Sequence, residues 1–190
     1  MTTPLIDIDT YKIAKSLTSA KDDERLSFLV TSVSQLVKTY CNNSLVDYVT
    51  DPYVEYIDVE WDTTEIQLTE SPVLEILEVK MRLSQELDLE VLDPSNYRYS
   101  KRTDTLKLLS GNWPIGVESV EVTYRAGYER LPADLKLAVI DLIAYYYKEE
   151  YKNSKTTSGS SLNNVTTSSL DGNVGFPDHI KRVLDLYRQL

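Results

Sequence analysis

The sequence predicts an α+β fold: a helical bundle made of a long central helix, an N-terminal helix and a C-terminal helix, with an antiparallel β-sheet or hairpin insertion. Three observations lead there. Apolar residues recur at helical spacing over 22–41 and again over 132–152. Between these stretches, over 53–125, the period falls to two. A short helical period then returns over 176–190.

The first element is a short amphipathic turn around Thr10 to Leu17. The next opens on Asp22-Asp23-Glu24, acids that suit the positive end of a helix, and continues through Leu26, Leu29, Val30, Val33, Leu36, Val37 and Tyr40 on one face until Asn42-Asn43-Ser44 stops it. From Tyr53 the alternation puts Ile57, Val59 and Trp61 on one side of a strand and Asp58, Glu60 and Asp62 on the other. Strand-like runs follow at 65–68, 74–83, 97–102, 105–109 and 117–125, with a Thr103-Asp104 turn between two of them. Pro132 is placed as the first residue of the next helix, with Asp134 in its first turn. That helix is apolar almost all round, so it must be covered on all sides, either by neighbouring subunits or by the sheet and the first helix of its own chain. Residues 153–175 are rich in Ser, Thr and Gly without helical period and read as a flexible arm. Pro177-Asp178 opens the last helix, with Ile180, Val183, Leu184 and Tyr187 at i, i+3, i+4 and i+7. The domain organisation expected is one α+β domain over 1–152, the arm, and a C-terminal helix over 176–190.

Composition narrows the function classes. The chain has 190 residues, 20 Lys plus Arg against 30 Asp plus Glu, and a formal charge of −10. Acidity of this size argues against a protein that grips nucleic-acid phosphates, since that affinity comes from basic side chains releasing counterions. A single cysteine excludes an internal disulfide framework and a Cys-rich zinc module. No apolar run approaches the roughly 20 residues of a membrane helix, and the start lacks a basic region followed by an apolar one, so a soluble, unexported chain is expected.

No constellation for catalysis emerges. The lone His179 makes a histidine triad or a two-histidine metal site within one chain untenable, and it reads as a surface residue at a helix start. Cys41 reads as a small buried apolar residue. Gly111 to Gly116 has the glycine interval of a phosphate loop, but Val117-Glu118 stands where Lys-Ser/Thr is required and a strand follows. The alternating acids are explained by an exposed sheet face. No enzyme activity, cofactor or metal is expected. Tyrosine stands out, at 14 against 2 Phe and 2 Trp, and it suits surfaces that are buried only on assembly.

The segment Val120-Glu121-Val122-Thr123-Tyr124-Arg125-Ala126-Gly127-Tyr128, followed by Leu131-Pro132-Ala133-Asp134-Leu135-Lys136-Leu137-Ala138, resembles the V-x-Y-x-A-G-Y…P-x-D-L-x-x-A signature of tailed-phage head–tail connector proteins, also called adaptor or head-completion proteins. The Gly111-Asn112-Trp113-Pro114 turn, the Tyr-rich helix, the arm and the terminal helix extend the resemblance over about residues 10–190. It implies a non-enzymatic virion protein of the neck. Such a protein forms a ring, commonly of twelve copies, beneath the portal protein, extends the DNA channel and joins the portal to a stopper or tail-completion protein.

On that reading Tyr145, Tyr146, Tyr147 and Tyr151 pack between subunits. Ile180, Val183, Leu184 and Tyr187 dock on the portal, so deleting 176–190 is expected to abolish portal binding and leave the fold. Asp58, Glu60 and Asp62 line the channel, where carboxylates repel double-stranded DNA that passes without specific binding. The alternatives are a tail-completion or stopper protein of the neck and, from other classes, a cytosolic protein-binding module or a carboxylate-based hydrolase.

Overall fold

The computed structural model describes residues 3–82, 88–148 and 176–189, and the chain divides into two compact units. One is helical, formed by Met1–Asn42 and Leu131–Leu190; the other, Asn43–Arg130, is built of strands.

In the helical unit, α1 spans Ile8–Ala14 and is capped by Asp7, whose carboxylate accepts from Thr10 N at 2.6 Å; that hydrogen bond holds the Asp7 carboxyl below its ordinary range. Helix α2 spans Asp23–Cys41 and ends on Asn42, which adopts the left-handed conformation at φ 49°. The apolar stripe it buries is Leu26, Val30, Val33, Val37 and Cys41. Two polar side chains are buried beside it, each with a partner: Lys38 Nζ donates to Thr3 O at 2.6 Å, and Ser34 Oγ accepts from Leu5 N at 2.9 Å.

Helix α3 spans Ala133–Tyr147, one residue beyond Pro132, and packs against α2 and α4 (Asp178–Leu184). Leu135, Ala138, Val139, Ile140, Leu142 and Ile143 are all buried within this one chain, and Leu137 is left exposed. Of the two ways to cover so apolar a helix, its own chain supplies most of the cover, through α2 and α4 of the helical unit.

Cys41 is fully buried against α4, its thiol 3.7 Å from Leu184 O, and burial pushes the thiol up to about 12, assisted by the Asp185 charge and opposed by Arg188. The folded protein should therefore resist a thiol-alkylating reagent at pH 8, where thiolate is scarce, and react fully once unfolded. A folded chain that titrates one thiol within minutes would show that this packing opens. Because the folded value lies above the unfolded one, this thiol's contribution to stability is present below pH 9 and is lost as pH rises toward 12.

The strand unit overturns the expected hairpin insertion in a helical bundle. It holds seven strands among the described residues: β1 Tyr53–Val59, β2 Glu65–Gln67, β3 Val73–Met81, β4 Glu90–Val91, β5 Tyr97–Ser100, β6 Thr105–Leu108 and β7 Gly116–Ala126. They form two antiparallel sheets, in the orders β1-β7-β3-β4 and β2-β6-β5. Ile66, Leu68, Leu106 and Leu108 on and beside the smaller sheet share one core with Val59, Val79, Val122 and Tyr124 of the larger one, with Trp113 buried among them. The physical reason is that alternation gives each sheet one apolar face, and two such faces cover each other as in a sandwich. The period-two region therefore carries its own core.

Candidate assembly surface

The connector signature has a specific mechanical task in the strand unit. Strand β7 ends at Ala126, and the backbone then docks on the loop after α2: Ala126 N donates to Tyr48 O at 3.0 Å, and Tyr128 N to Leu45 O at 2.7 Å. Between them Gly127 lies at φ +112°, and a Cβ there would stand 2.6 Å from Leu45 O. Tyr124 is fully buried; its hydroxyl donates to Glu55 Oε2 at 2.5 Å and accepts from Glu70 N at 3.1 Å. Burial, the bond to Glu55 and the Glu55 charge push the Tyr124 phenol well above its ordinary range. Glu70 in turn accepts from Ser44 N and Ser44 Oγ at 3.0 and 2.6 Å. This buried acid–phenol chain fixes loops, and the alternating pattern gave no hint of it, since Glu55 occupies a position the period assigns to the core.

The tyrosines expected between subunits are partly covered by their own chain. Tyr147 OH donates to Asp22 at 2.9 Å, and the Arg25 guanidinium lies 5.0 Å from its ring centre. Tyr145 and Tyr146 meet edge to face at 5.5 Å. Tyr145 also lines a concavity of about 200 Å³ together with Lys148, His179 and the Lys15–Asp141 ion pair, which closes at 2.9 Å. All three rings remain half-buried, and Tyr151 lies outside the described residues.

The set expected to dock on a portal divides in two. Ile180 is 2% and Leu184 0% exposed, so the helical unit already occupies the face they form. The reason is the burial of α3: its apolar circumference needs α4 as a cover. Val183 is partly accessible, and Tyr187 is half-buried with its hydroxyl on Asp134 at 2.6 Å. Leu186 is exposed.

Asp58, Glu60 and Asp62 are all exposed but do not share one pleated face, because β1 ends at Val59. Trp61, expected on the core side, is 67% exposed in the loop that follows. Strand β7 carries extra residues opposite Asp58, with Glu118 at φ +47°, and Asp58 Oδ1 accepts from Glu118 N at 2.7 Å to close that irregularity. Trp113 donates from its backbone N to Thr63 O at 2.8 Å and from Nε1 to Thr64 O at 3.1 Å. These bonds bring the 58–64 and 113–118 segments side by side; Trp61, Ile115 and Val117 on them, and Leu109 beside Leu108, are each more than half exposed, and the same two segments carry Asp58, Glu60, Asp62 and Glu118. Sequence reasoning missed this surface. The available signal was the distribution of charge: residues 43–130 contain 18 acids and 8 bases, while the rest of the chain has 12 of each, so the whole formal charge of −10 lies in the strand unit.

Among the described residues no group of three or more His, Cys, Asp or Glu side chains is placed to hold a metal, and no helix is long and apolar enough to cross a membrane. What the described residues do present is two compact units, each with exposed apolar and charged side chains. The family model described as head completion protein matches residues 4–190, and the chain belongs to that family. It is 34% identical to the head completion protein of Escherichia phage T5 over 100 residues, which is 52% of this chain and 54% of that relative, so the match spans about half the length of each. The fold is similar to that of a chain in the neck of an empty gene transfer agent particle in C6 symmetry, with a TM-score of 0.63 and 15% identity over 100% of this chain and 90% of that one. A chain in the native particle's neck in C12 symmetry aligns with a TM-score of 0.58 and 15% identity, over 100% of this chain and 96% of the other.

Proposed function

We propose that this chain is a head–tail connector of the adaptor kind, assembling as a ring of twelve under the portal protein in the virion neck of a tailed phage. It extends the DNA channel there and joins the capsid vertex to a stopper or tail-completion protein. The observation that carries the reading is the family match over residues 4–190, and the whole-chain fold likeness to a neck component of a particle in C12 symmetry supports it. The segregated charge is also in keeping. A strand unit with ten excess carboxylates, turned toward the DNA path, repels phosphates within a Debye length of about 8 Å and leaves the channel wall without adhesive contacts. Contact with the portal falls to the side chains the C-terminal segment leaves accessible, Val183 and Leu186, because Ile180 and Leu184 are engaged within the chain. Half-buried Tyr145 and Tyr146 complete their burial against a neighbouring copy.

The test is to mix the purified full chain with its cognate portal and image the product by negative stain. A twelvefold ring added to one face of the portal is the expected result. A portal that remains bare, with the chain instead capping isolated tail tubes, would replace the adaptor reading with the tail-completion one.

A further inference from the structure

We infer that successive copies of this chain join head to tail through their strand units, the exposed Trp61 end of one copy receiving the β5–β6 turn of the next. The inference rests on the ring proposed above and adds which surfaces make the junction.

The receiving end carries exposed apolar and acidic side chains on the same two joined segments. Trp61, Ile115 and Val117 are each more than half exposed, held together by the Trp113 hydrogen bonds to Thr63 and Thr64 and by the Asp58 bond to Glu118 N. An exposed tryptophan with acidic neighbours along the chain has the composition of an interface hot spot. The two segments carry the carboxylates of Glu60, Asp62 and Glu118, for which the described residues offer no basic partner. Whatever covers this end must therefore bring positive charge.

The same unit supplies that charge at its opposite end. Strand β6 starts at Thr105, beside the β5–β6 turn, and finishes at Leu108, whose N–H donates to Thr64 O at 2.8 Å next to the receiving surface. The three residue steps from Thr105 to Leu108 put about 10 Å between the two ends of β6. The turn carries Lys101 and Arg102, both exposed and outside every ion pair among the described residues, while the one acid in the turn, Asp104, is engaged by the Tyr99 hydroxyl. Its tip is therefore cationic within an otherwise strongly acidic unit.

A basic tip at one end of a rigid unit and an acidic, apolar socket at the other define a heterologous contact, which propagates from copy to copy and closes into a ring when the rotation permits. A contact that paired like surfaces would instead bring socket against socket and oppose carboxylates to carboxylates. On this assignment Glu60 and Asp62 belong to the junction between copies and not to the channel wall.

Charge exchange tests it. Full-length E60K/D62K and K101E/R102E should each fold but give about tenfold fewer rings on the cognate portal. An equimolar mixture of the two should recover ring formation, since every junction in an alternating ring is again complementary. A second measurement uses D62C/K101C, which on oxidation should give interchain disulfide ladders in assembled rings while buried Cys41 stays silent. Rings that form normally with E60K/D62K, or that show no ladder, would overturn this junction and leave the ring itself standing. Wild-type chain that forms no ring at all would overturn both.

Discussion

Deleting residues 176–190 should destabilise the helical unit by about 4.5–9 kcal/mol, taking Phe176, Ile180 and Leu184 at roughly 1.5–3 kcal/mol per buried apolar side chain. That is a large share of the 5–15 kcal/mol by which a domain is ordinarily stable. The three side chains do not merely touch the surface. Phe176 stacks edge to face on Tyr40 at 5.2 Å, Leu184 O lies against Cys41, and Gln189 N donates to Cys41 O at 2.9 Å. Their removal uncovers the C-terminal end of α2 and the apolar side of α3 together. Chemical denaturation followed by circular dichroism reads the loss directly. The single variant Leu184→Ala should cost about 2–5 kcal/mol on the same scale. An unchanged midpoint in the deletion would mean that α4 is dispensable to its own chain and free to serve a partner, as the amphipathic spacing alone suggests.

Gly127→Ala should cost about 2–4 kcal/mol, although it adds one methyl group. Two effects combine. At φ +112° an L side chain is strained, and the added Cβ would meet Leu45 O at 2.6 Å, a backbone atom already committed to Tyr128 N. The loop cannot retreat without breaking that bond and the neighbouring pair between Ala126 N and Tyr48 O. A thermal midpoint within a degree or two of wild type would show that the loop is not held in this way. The Ala-Gly-Tyr of the signature thus has a physical content: its glycine is the one residue that lets β7 turn against the 45–48 loop.

The contrast between readable and unreadable features follows particular residues. Leu26, Val30, Val33 and Val37 announce α2 because a helix repeats its buried face every three to four residues, a fact local to the segment. Asp58 and Trp61 mislead for the converse reason. Alternation was extended past Val59, where β7 accommodates extra residues and the strand stops, and only the partner strand decides where pairing ends. Ile180 and Leu184 mark a different limit: amphipathic spacing identifies an apolar face but not which surface covers it.

By itself the sequence determined the family, through a signature whose residues it displays outright, together with the succession of helical and extended periods and the unbalanced charge. Whether the extended region was an appendage or a self-sufficient pair of sheets, which apolar faces were already satisfied, and that Lys101 and Arg102 lie beside the opposite end of β6 from the segment carrying Glu60 and Asp62 were decided only by the tertiary structure. The reason is that period, charge and motif are properties of neighbours along the chain, whereas cover, register and the ends of strands are set by residues brought together from as many as 148 positions apart, as Cys41 and Gln189 are.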